Sequence, residues 1–345
     1  MLKMVKVFVS AVLFFALTIS LIPLVFSAEA AALITLRFAG QTQPNHPATK
    51  AMEQIAKEVD QKTGGRVKIK VYPANQLGDY DLIFEEMIRG TVDMACTSVP
   101  GKFDRRMEMS NMPGIVRDFK DVAVMFGKDG WMDKKMNEFE KPIGLRHAGW
   151  FIEGMIGIGS VKPVNKPLDP KAAKGVLTRV STFENNKHAL NAMGYNTTTI
   201  PYSDVYQALQ TGVCEAVGGY PVAAANTILR DVLKYWYNTS WAVEALGITI
   251  SAKTWDKLSP KEQGILQAAI DKASAASIKG AEAEDERNMK EMEKRGIQVF
   301  RYKAKDLTAN SAACAESWNK LASAYTPKLL DELRKEVARI QSISK

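Results

Sequence analysis

Hydrophobic and polar residues follow two different periods along the first part of the chain, which predicts strands and helices in turn. Residues 35–39 and 67–71 are predicted to be strands, the second because β-branched residues alternate with lysines. Apolar residues recur at helical spacing over 52–59, and a second helix is predicted over 82–89 before a short buried strand at 91–96. This strand–helix order is typical of an α/β unit with parallel strands.

The same order of elements returns after residue 170. The predicted strands lie at 176–180, 197–200 and 213–217, and the predicted helices lie at 184–193 and 203–211. Gly90 and Gly212 each end a helix before a buried strand that carries one acidic residue, Asp93 in the first case and Glu215 in the second. This internal likeness predicts two similar α/β lobes.

The carboxyl ends of two predicted strands carry residues suited to meet a ligand. Thr97 and Ser98 follow the last strand of the first lobe, and residues 218–220 follow the last strand of the second. In open α/β sheets, ligands bind beyond the carboxyl ends of the strands. We therefore expect a central cleft between the two lobes to hold the ligand.

One long helix is predicted in the C-terminal third of the chain. Ser259 and Glu262 have the spacing of a capping box, with Pro260 at the first helical position and Gly296 as the terminating breaker. A helix of about 36 residues is about 54 Å long, so it is expected to bridge both lobes. A strand at 297–302 and two further helices are expected to complete the chain.

The N-terminus has the three regions of a secretory signal peptide. Two lysines precede an almost wholly apolar run at 7–26, and an A-x-A cleavage site follows at 28–30. Residues 1–30 are therefore predicted to direct export to the periplasm. The apolar run is also near the length of an uncleaved membrane anchor, which remains the alternative.

The composition mainly excludes certain classes of partner. Of the 345 residues, 46% are hydrophobic and 24% are charged, which is typical of soluble globular proteins. The formal net charge is +8, but basic residues are spread among acidic ones without a basic–aromatic cluster. Nucleic acid is therefore not an expected partner.

Histidine and cysteine are too few and too scattered for a familiar metal or cofactor pattern. The chain has three of each, with no C-x-x-C and no H-E-x-x-H. It also has no G-x-S-x-G, no Walker A segment and no G-x-G-x-x-G after a strand. We therefore expect no metal, no cofactor and no catalytic residues, and we expect all three thiols to be buried.

Several segments, in their order and spacing, resemble a known family. They are residues 36–39 with His46-Pro47, 63–69, 72–78, 90–95, Arg179-Val180, 201–212 and 255–259. Together they are similar to the extracytoplasmic solute-binding subunit of TRAP transporters, of the C4-dicarboxylate-binding type. The resemblance covers nearly all of the chain after the predicted signal peptide.

The resemblance implies an α/β, two-lobed periplasmic-binding-protein fold with a central ligand cleft and a long bridging helix. The division it suggests is 31–153 plus 246–286 for lobe I and 154–245 plus 287–345 for lobe II. It also implies closure of the lobes on an organic acid. The acid is then delivered to integral-membrane permease subunits that use an ion gradient rather than ATP.

Arg179 is the residue to which the resemblance assigns the ligand carboxylate, because residues 175–180 match the segment that carries the family's central arginine. A guanidinium pairs bidentately with a carboxylate, and the pair strengthens when a closing cleft excludes water. The alternative is a structural ion pair at a strand end. By position, Gln41, Ser98 and Tyr202 are expected to complete the pocket wall.

Two departures from the family pattern affect the expected pocket. Ile156 stands where the family commonly has a second arginine, and residues 218–221 replace a segment that usually supplies an asparagine. Tyr220 or Asn226 is expected to take the place of that asparagine. Because both departures remove polar groups, the expected ligand is a monocarboxylate with a less polar body, such as a 2-oxo or aromatic acid, rather than sialic acid or a C4-dicarboxylate.

Two aromatic residues, Trp150 and Phe183, lie close to the matched segments and are further candidates for the pocket. Packing in the core is the alternative for each of them.

Two other functions remain open from the sequence. A ligand-binding subunit of a sensor or of an ABC system would share the fold, and neighbouring genes for two integral-membrane subunits would favour a TRAP transporter instead. A secreted enzyme would turn its ligand over rather than retain it.

Overall fold

The computed structural model describes residues 32–343. The predicted signal peptide at 1–30 lies outside the described residues. Within 32–343, no helix is both long and apolar enough to cross a membrane.

The described residues form one mixed sheet of nine strands with helices packed around it. The strands are β1 Ile34–Gly40, β2 Val67–Tyr72, β3 Met94–Thr97, β4 Leu145–Ser160, β5 Leu177–Val180, β6 Asn196–Thr199, β7 Ala216–Pro221, β8 Tyr235–Ser251 and β9 Gln298–Arg301. The helices are α1 Pro47–Lys62, α2 Tyr80–Arg89, α3 Phe119–Met125, α4 Trp131–Glu140, α5 Glu184–Ala192, α6 Val205–Thr211, α7 Val222–Ala224, α8 Ala252–Trp255, α9 Pro260–Lys294, α10 Thr308–Ser317, α11 Ala322–Tyr325 and α12 Pro327–Ile343.

Two groups of parallel strands confirm the two predicted α/β units. In the first group β1 pairs with β2 and β3, and in the second β5 pairs with β6 and β7. The prediction for β7 was displaced, because the strand runs over Ala216–Pro221 rather than 213–217. Val213 is 58% exposed in the turn after α6, so its apolar side chain does not mark the buried strand.

Two long antiparallel strands, β4 and β8, join the two groups and were not predicted. They pair with each other along their length, while β3 pairs with Gly247–Ile250 of β8 and β7 pairs with Ile156–Ser160 of β4. Each parallel group therefore attaches to a different end of the central pair, as a two-lobed fold requires. The register of this pair shifts between Ile152 and Gly154, which leaves Glu153 in a bulge.

The predicted long helix is α9, and its capping box is present. Glu262 Oε2 accepts a 2.8 Å hydrogen bond from the Ser259 backbone N–H, and Ser259 Oγ accepts one of 3.4 Å from the Glu262 N–H. The helix packs against α1, α3 and α7 as well as β4 and β9, so it contacts elements from both ends of the sheet. It therefore bridges the two lobes as predicted.

The end of the chain holds three α-helices after β9 rather than the two predicted. The additional break falls between α11 and α12, where Thr326 has a φ of 58° and Pro327 begins the next helix. Proline disfavours helical backbone at the residue before it and suits the first turn of a new helix, which explains the break.

Candidate ligand-binding site

A small cavity lies where the carboxyl ends of β3 and β7 meet. Its free volume is about 20 Å³. Five of the predicted site residues line it: Gln41, Ser98, Arg179, Phe183 and Tyr202. The structure thus brings together residues from four separate parts of the chain, while their contact with a ligand stays a prediction.

Arg179 lies on β5 with a side chain that is 1% exposed. Its Nε donates a 2.9 Å hydrogen bond to the Ile200 carbonyl oxygen, and its Nη1 donates one of 3.4 Å to the Gly218 carbonyl oxygen. Its Nη2 has no hydrogen-bond partner among the described residues. The backbone therefore orients one edge of the guanidinium and leaves a donor on the other edge for a ligand.

Gln41 and Ser98 belong to a short hydrogen-bond network on the opposite wall. Gln41 Oε1 accepts from Thr97 Oγ1 at 2.6 Å and from the Ser98 N–H at 2.9 Å, and Gln41 Nε2 donates to Ser98 Oγ at 3.1 Å. Ser98 Oγ in turn donates a 2.7 Å hydrogen bond to Glu244 Oε1. The network fixes Gln41 and Ser98 and connects them to a buried carboxyl group.

Two acidic residues, Glu153 and Glu244, line the cavity and were not among the predicted site residues. Their exposed fractions are only 2% and 6%. Burial, with a smaller contribution from the nearby charge of Glu153, raises the pKa of Glu244 to about 8. Glu244 lies on β8 opposite Gly154, next to the bulge that carries Glu153, so the central strands bring the two carboxyl groups to the same wall.

Neither oxygen of Glu153 has an aligned hydrogen-bond donor within 32–343. The Nε2 atom of His46 lies 3.2 Å from Glu153 Oε1, but the two groups are not aligned for a hydrogen bond. The sequence contains one signal for this residue, because the Glu153-Gly154 pair lies in the same segment as Ile156, where the resemblance places the family's second arginine.

The aromatic residues support the cavity in different ways. Tyr202 lines it and stacks on Tyr220, with ring centroids 4.9 Å apart. Tyr220 does not line the cavity, and instead its ring lies 5.4 Å from the Arg179 guanidinium carbon. Phe183 lines the cavity and contacts Tyr80, with ring centroids 5.6 Å apart.

Besides Tyr220, three predicted site residues lie outside the cavity. Trp150 packs against Phe126 and His147, with centroid distances of 5.3 and 4.2 Å, and so belongs to the core. The sheet face that carries Ile156 is covered by apolar side chains, so Ile156 is fully buried there.

Asn226, the third, points to the long helix instead. Its Nδ2 donates hydrogen bonds of 2.9 Å to Asn288 Oδ1 and 3.0 Å to Glu291 Oε2, both on α9. These two bonds hold its side chain away from the cavity.

Contacts across the mouth of the cavity join α5 and the residues just before it to α2 and to the turn at Arg105–Asn111. Tyr80 Oη and Thr182 Oγ1 are 3.0 Å apart, and Asn185 Nδ2 donates a 2.8 Å hydrogen bond to the Glu108 carbonyl oxygen. Arg105 also forms an ion pair with Glu184. These contacts hold the N-terminal end of α5 against the turn at Arg105–Asn111.

Within the described residues, no group of three or more His, Cys, Asp and Glu side chains is arranged to hold a metal ion. Cys96, Cys214 and Cys314 are all buried free thiols, as predicted. Burial raises the pKa of each thiol, to about 12 for Cys314. A raised thiol pKa lowers reactivity, because the thiolate is the nucleophilic form.

The family model of the bacterial extracellular solute-binding proteins, family 7, matches residues 38–324. The chain belongs to this family. Its members are TRAP periplasmic solute-binding proteins rather than enzymes, so the resemblance seen in the sequence is confirmed.

One similar relative is the sialic acid-binding periplasmic protein SiaP of Vibrio cholerae. It is 26% identical over 277 residues, which cover 78% of this chain and 84% of that protein.

Two solved structures share the two-lobed fold. A TRAP periplasmic solute-binding protein from Haemophilus influenzae with bound L-gulonate gives a TM-score of 0.79 at 21% identity, covering 90% of this chain and 100% of that chain. A sugar acid binding protein from Advenella mimigardefordensis in complex with galactonate gives a TM-score of 0.81 at 17% identity, covering 90% and 99% of the two chains.

Proposed function

We propose that this protein captures an organic acid in the periplasm and delivers it to the integral-membrane permease subunits of a TRAP transporter. The observation that carries the proposal is the buried guanidinium of Arg179, a residue that lines the cavity and whose Nη2 has no hydrogen-bond partner within residues 32–343. The relatives described above bind sialic acid, L-gulonate and galactonate, each of which carries a carboxyl group. Residues 1–30 would serve as the export signal.

The chemistry of the site supports carboxylate capture. The backbone carbonyls of Ile200 and Gly218 hold the guanidinium in place before a ligand arrives, so little side-chain freedom is lost on binding. A charge-assisted hydrogen bond in a buried site is also stronger than one in water, because the local dielectric is low.

The less polar ligand body expected from the sequence has little support at this site. That expectation depended on two departures from the family pattern, at Ile156 and at residues 218–221, and Ile156 is packed in the core and touches no part of the cavity. The cavity wall instead presents Glu153, Glu244 and Ser98. We therefore propose a single carboxylate bound at Arg179, with hydrogen-bond donors on the rest of the ligand.

Closure of the two lobes would bring these walls together. We propose crossings at 153/154 and 245/246, with the remaining crossing on the long helix at 286/287, as the sequence suggested. The register shift beside Glu153 supports the first crossing, because a bulge weakens pairing locally and lets a strand bend. The contacts between α5 and the Arg105–Asn111 turn would then hold the closed form.

Replacing Arg179 tests the proposed function. Arg179→Lys is expected to reduce affinity for the bound acid at least tenfold, because an ammonium group cannot reproduce the planar fork. Calorimetry with a carboxylate panel measures the affinity, and thermal unfolding checks the fold. Arg334→Lys, at an exposed site on α12, is the matched control and should bind as the wild type does. Equal affinity of the Arg179 variant and the wild type would reject the carboxylate anchor.

A further inference from the structure

Opposite charges line the same buried cavity without pairing with each other. Arg179 is on one wall and Glu153 on another, and both are at least 98% buried. No carboxylate of the described residues lies within 4.0 Å of the Arg179 nitrogens. Within residues 32–343, Arg179 Nη2 and both Glu153 oxygens therefore lack an aligned hydrogen-bond partner, and the nearest basic group to Glu153 is His46, whose Nε2 lies 3.2 Å from Oε1.

Glu244 on the acidic wall is mostly protonated at neutral pH. Two carboxyl groups that repel each other in a buried site do not both ionise readily. The pKa of Glu244 is raised to about 8 by burial and by Glu153, and Ser98 Oγ donates to its Oε1. With the Arg179 guanidinium on one side and the carboxyl groups of Glu153 and Glu244 on the other, the cavity has a basic end and an acidic end.

We infer that the ligand is a zwitterion, in which a carboxylate meets Arg179 and a protonated nitrogen meets the Glu153–Glu244 wall. The inference rests on the proposed function and narrows its substrate class. A ligand of this kind supplies a counter-charge to each buried group and adds no net charge to the cavity. A nitrogen-free acid satisfies Arg179 but brings an uncompensated negative charge beside two carboxyl groups, which is unfavourable in a buried site.

A neutral hydroxyl group is the main competing partner for Glu153. Hydrogen bonds between a charged donor and a carboxylate are roughly twice as strong as neutral ones. Ligands that share one ring or chain and differ only in carrying a protonated nitrogen, an oxygen or a carbon at one position therefore distinguish a charged partner for Glu153 from a neutral one.

The experiment measures binding of matched series to the full mature protein by calorimetry. One series is L-proline, tetrahydrofuran-2-carboxylate and cyclopentanecarboxylate, and another is 4-aminobutyrate, 4-hydroxybutyrate and butyrate. The panel also includes the common α-amino acids with their 2-hydroxy acid analogues. In at least one series the nitrogen-bearing member is expected to bind at least tenfold more tightly than its analogues. The inference is overturned if no nitrogen-bearing acid binds, or if the nitrogen-free analogues bind equally well.

Variants connect this preference to the acidic wall. Glu153→Gln should reduce the preference for the nitrogen-bearing member several-fold, and Glu244→Gln is the second variant if the first does not fold. Glu316→Gln, an exposed carboxylate on α10, is the matched control and should keep the full preference. An unchanged preference in the folded Glu153→Gln protein would overturn the inference.

Different results would reject the carboxylate anchor at Arg179 and the zwitterionic ligand. If nitrogen-free acids bind and Arg179→Lys abolishes their binding, the proposed function stands and the zwitterion does not. If Arg179→Lys leaves all binding unchanged, the proposed function itself is wrong.

Discussion

Glu244 is the buried carboxyl group whose protonation should shape the stability of the protein. Its pKa is about 8 in the folded chain, against an ordinary value of 4.5, because burial and Glu153 raise it while Ser98 and Arg179 lower it. Between these values the folded state holds a proton that the unfolded state has released. The free energy of unfolding should therefore fall as the pH rises from about 5 to about 8 and level off above that.

Glu244→Gln should remove this part of the pH dependence, because glutamine does not titrate. Urea unfolding at pH 5 and pH 8 measures the effect as the difference between variant and wild type. Glu108, whose pKa burial raises to about 7, contributes a similar decline that remains in both proteins. Equal losses of stability in the two proteins would show that Glu244 does not titrate in this range.

Gly154 allows the close approach of β4 to the long helix. Its φ is 142°, and a Cβ atom there would lie 2.1 Å from Asp285 Oδ1. Asp285 Oδ2 also accepts a 3.0 Å hydrogen bond from the Met155 N–H, so it is not free to move away. Gly154→Ala should therefore destabilise the protein by about 2–4 kcal/mol in chemical unfolding.

Gly264→Ala is the matched control for that substitution. Gly264 lies in α9 with nothing within 4 Å of the added Cβ, so alanine should stabilise the helix by about 0.5–1 kcal/mol. Changes of opposite sign are expected from the two substitutions. A Gly154→Ala protein as stable as the wild type would mean that β4 and α9 are not held as closely as the structure shows.

A site residue could be predicted from the sequence only where a local sequence pattern marked its position. Gln41 and Ser98 directly follow β1 and β3, and Arg179 lies near the end of β5, so the cleft rule and the resemblance pointed to residues that line the cavity, while their contact with a ligand stays a prediction. Glu153 and Glu244 meet only because β4 and β8 pair, and these strands are far apart in the sequence. No periodicity within either segment indicates that long-range pairing.

At the scale of elements, α5 is the helix that joins the two sides of the cavity mouth. Asn185 on α5 donates a 2.8 Å hydrogen bond to the Glu108 carbonyl oxygen, and both residues are buried. Asn185→Ala should favour an open form and weaken ligand affinity about five-fold, since a net hydrogen bond contributes about 1 kcal/mol. Calorimetry with the ligand of the wild type measures the change.

Asn191→Ala serves as the control for Asn185→Ala on the same helix. Asn191 is exposed and its side chain contacts Thr197 rather than the Arg105–Asn111 turn. The Asn191→Ala protein should bind the ligand with the affinity of the wild type. Equal affinities for all three proteins would show that this hydrogen bond does not contribute to closure.

Elements with a clear period and a clear end were predictable from the sequence, and the central strands were not. The capping box at Ser259 located the start of α9 to the residue, and glycines marked the ends of α2 and α6. β4 and β8 are buried along most of their length on both faces. Such strands lack the alternation that marks a half-exposed strand.

At the scale of the whole molecule, the site depends on elements that belong to both lobes. The central strands β4 and β8 and the long helix α9 contact elements of both lobes. A ligand that bridges Arg179 and the Glu153 wall would therefore favour one relative position of the lobes. Binding should then be accompanied by a decrease in the radius of gyration, as in hinge closure around a ligand. The fold therefore links the chemistry of the cavity to the relative position of the two lobes.

The most direct measurement of the central claim is mass spectrometry of the small molecule that the native protein retains. Wild-type protein and Arg179→Lys are purified in parallel without added ligand, and the released compounds are identified and quantified. We expect the wild type to carry close to one equivalent of a carboxyl-bearing compound and the variant to have lost most of it. A retained compound without a carboxyl group, or equal retention by the two proteins, would contradict this expectation.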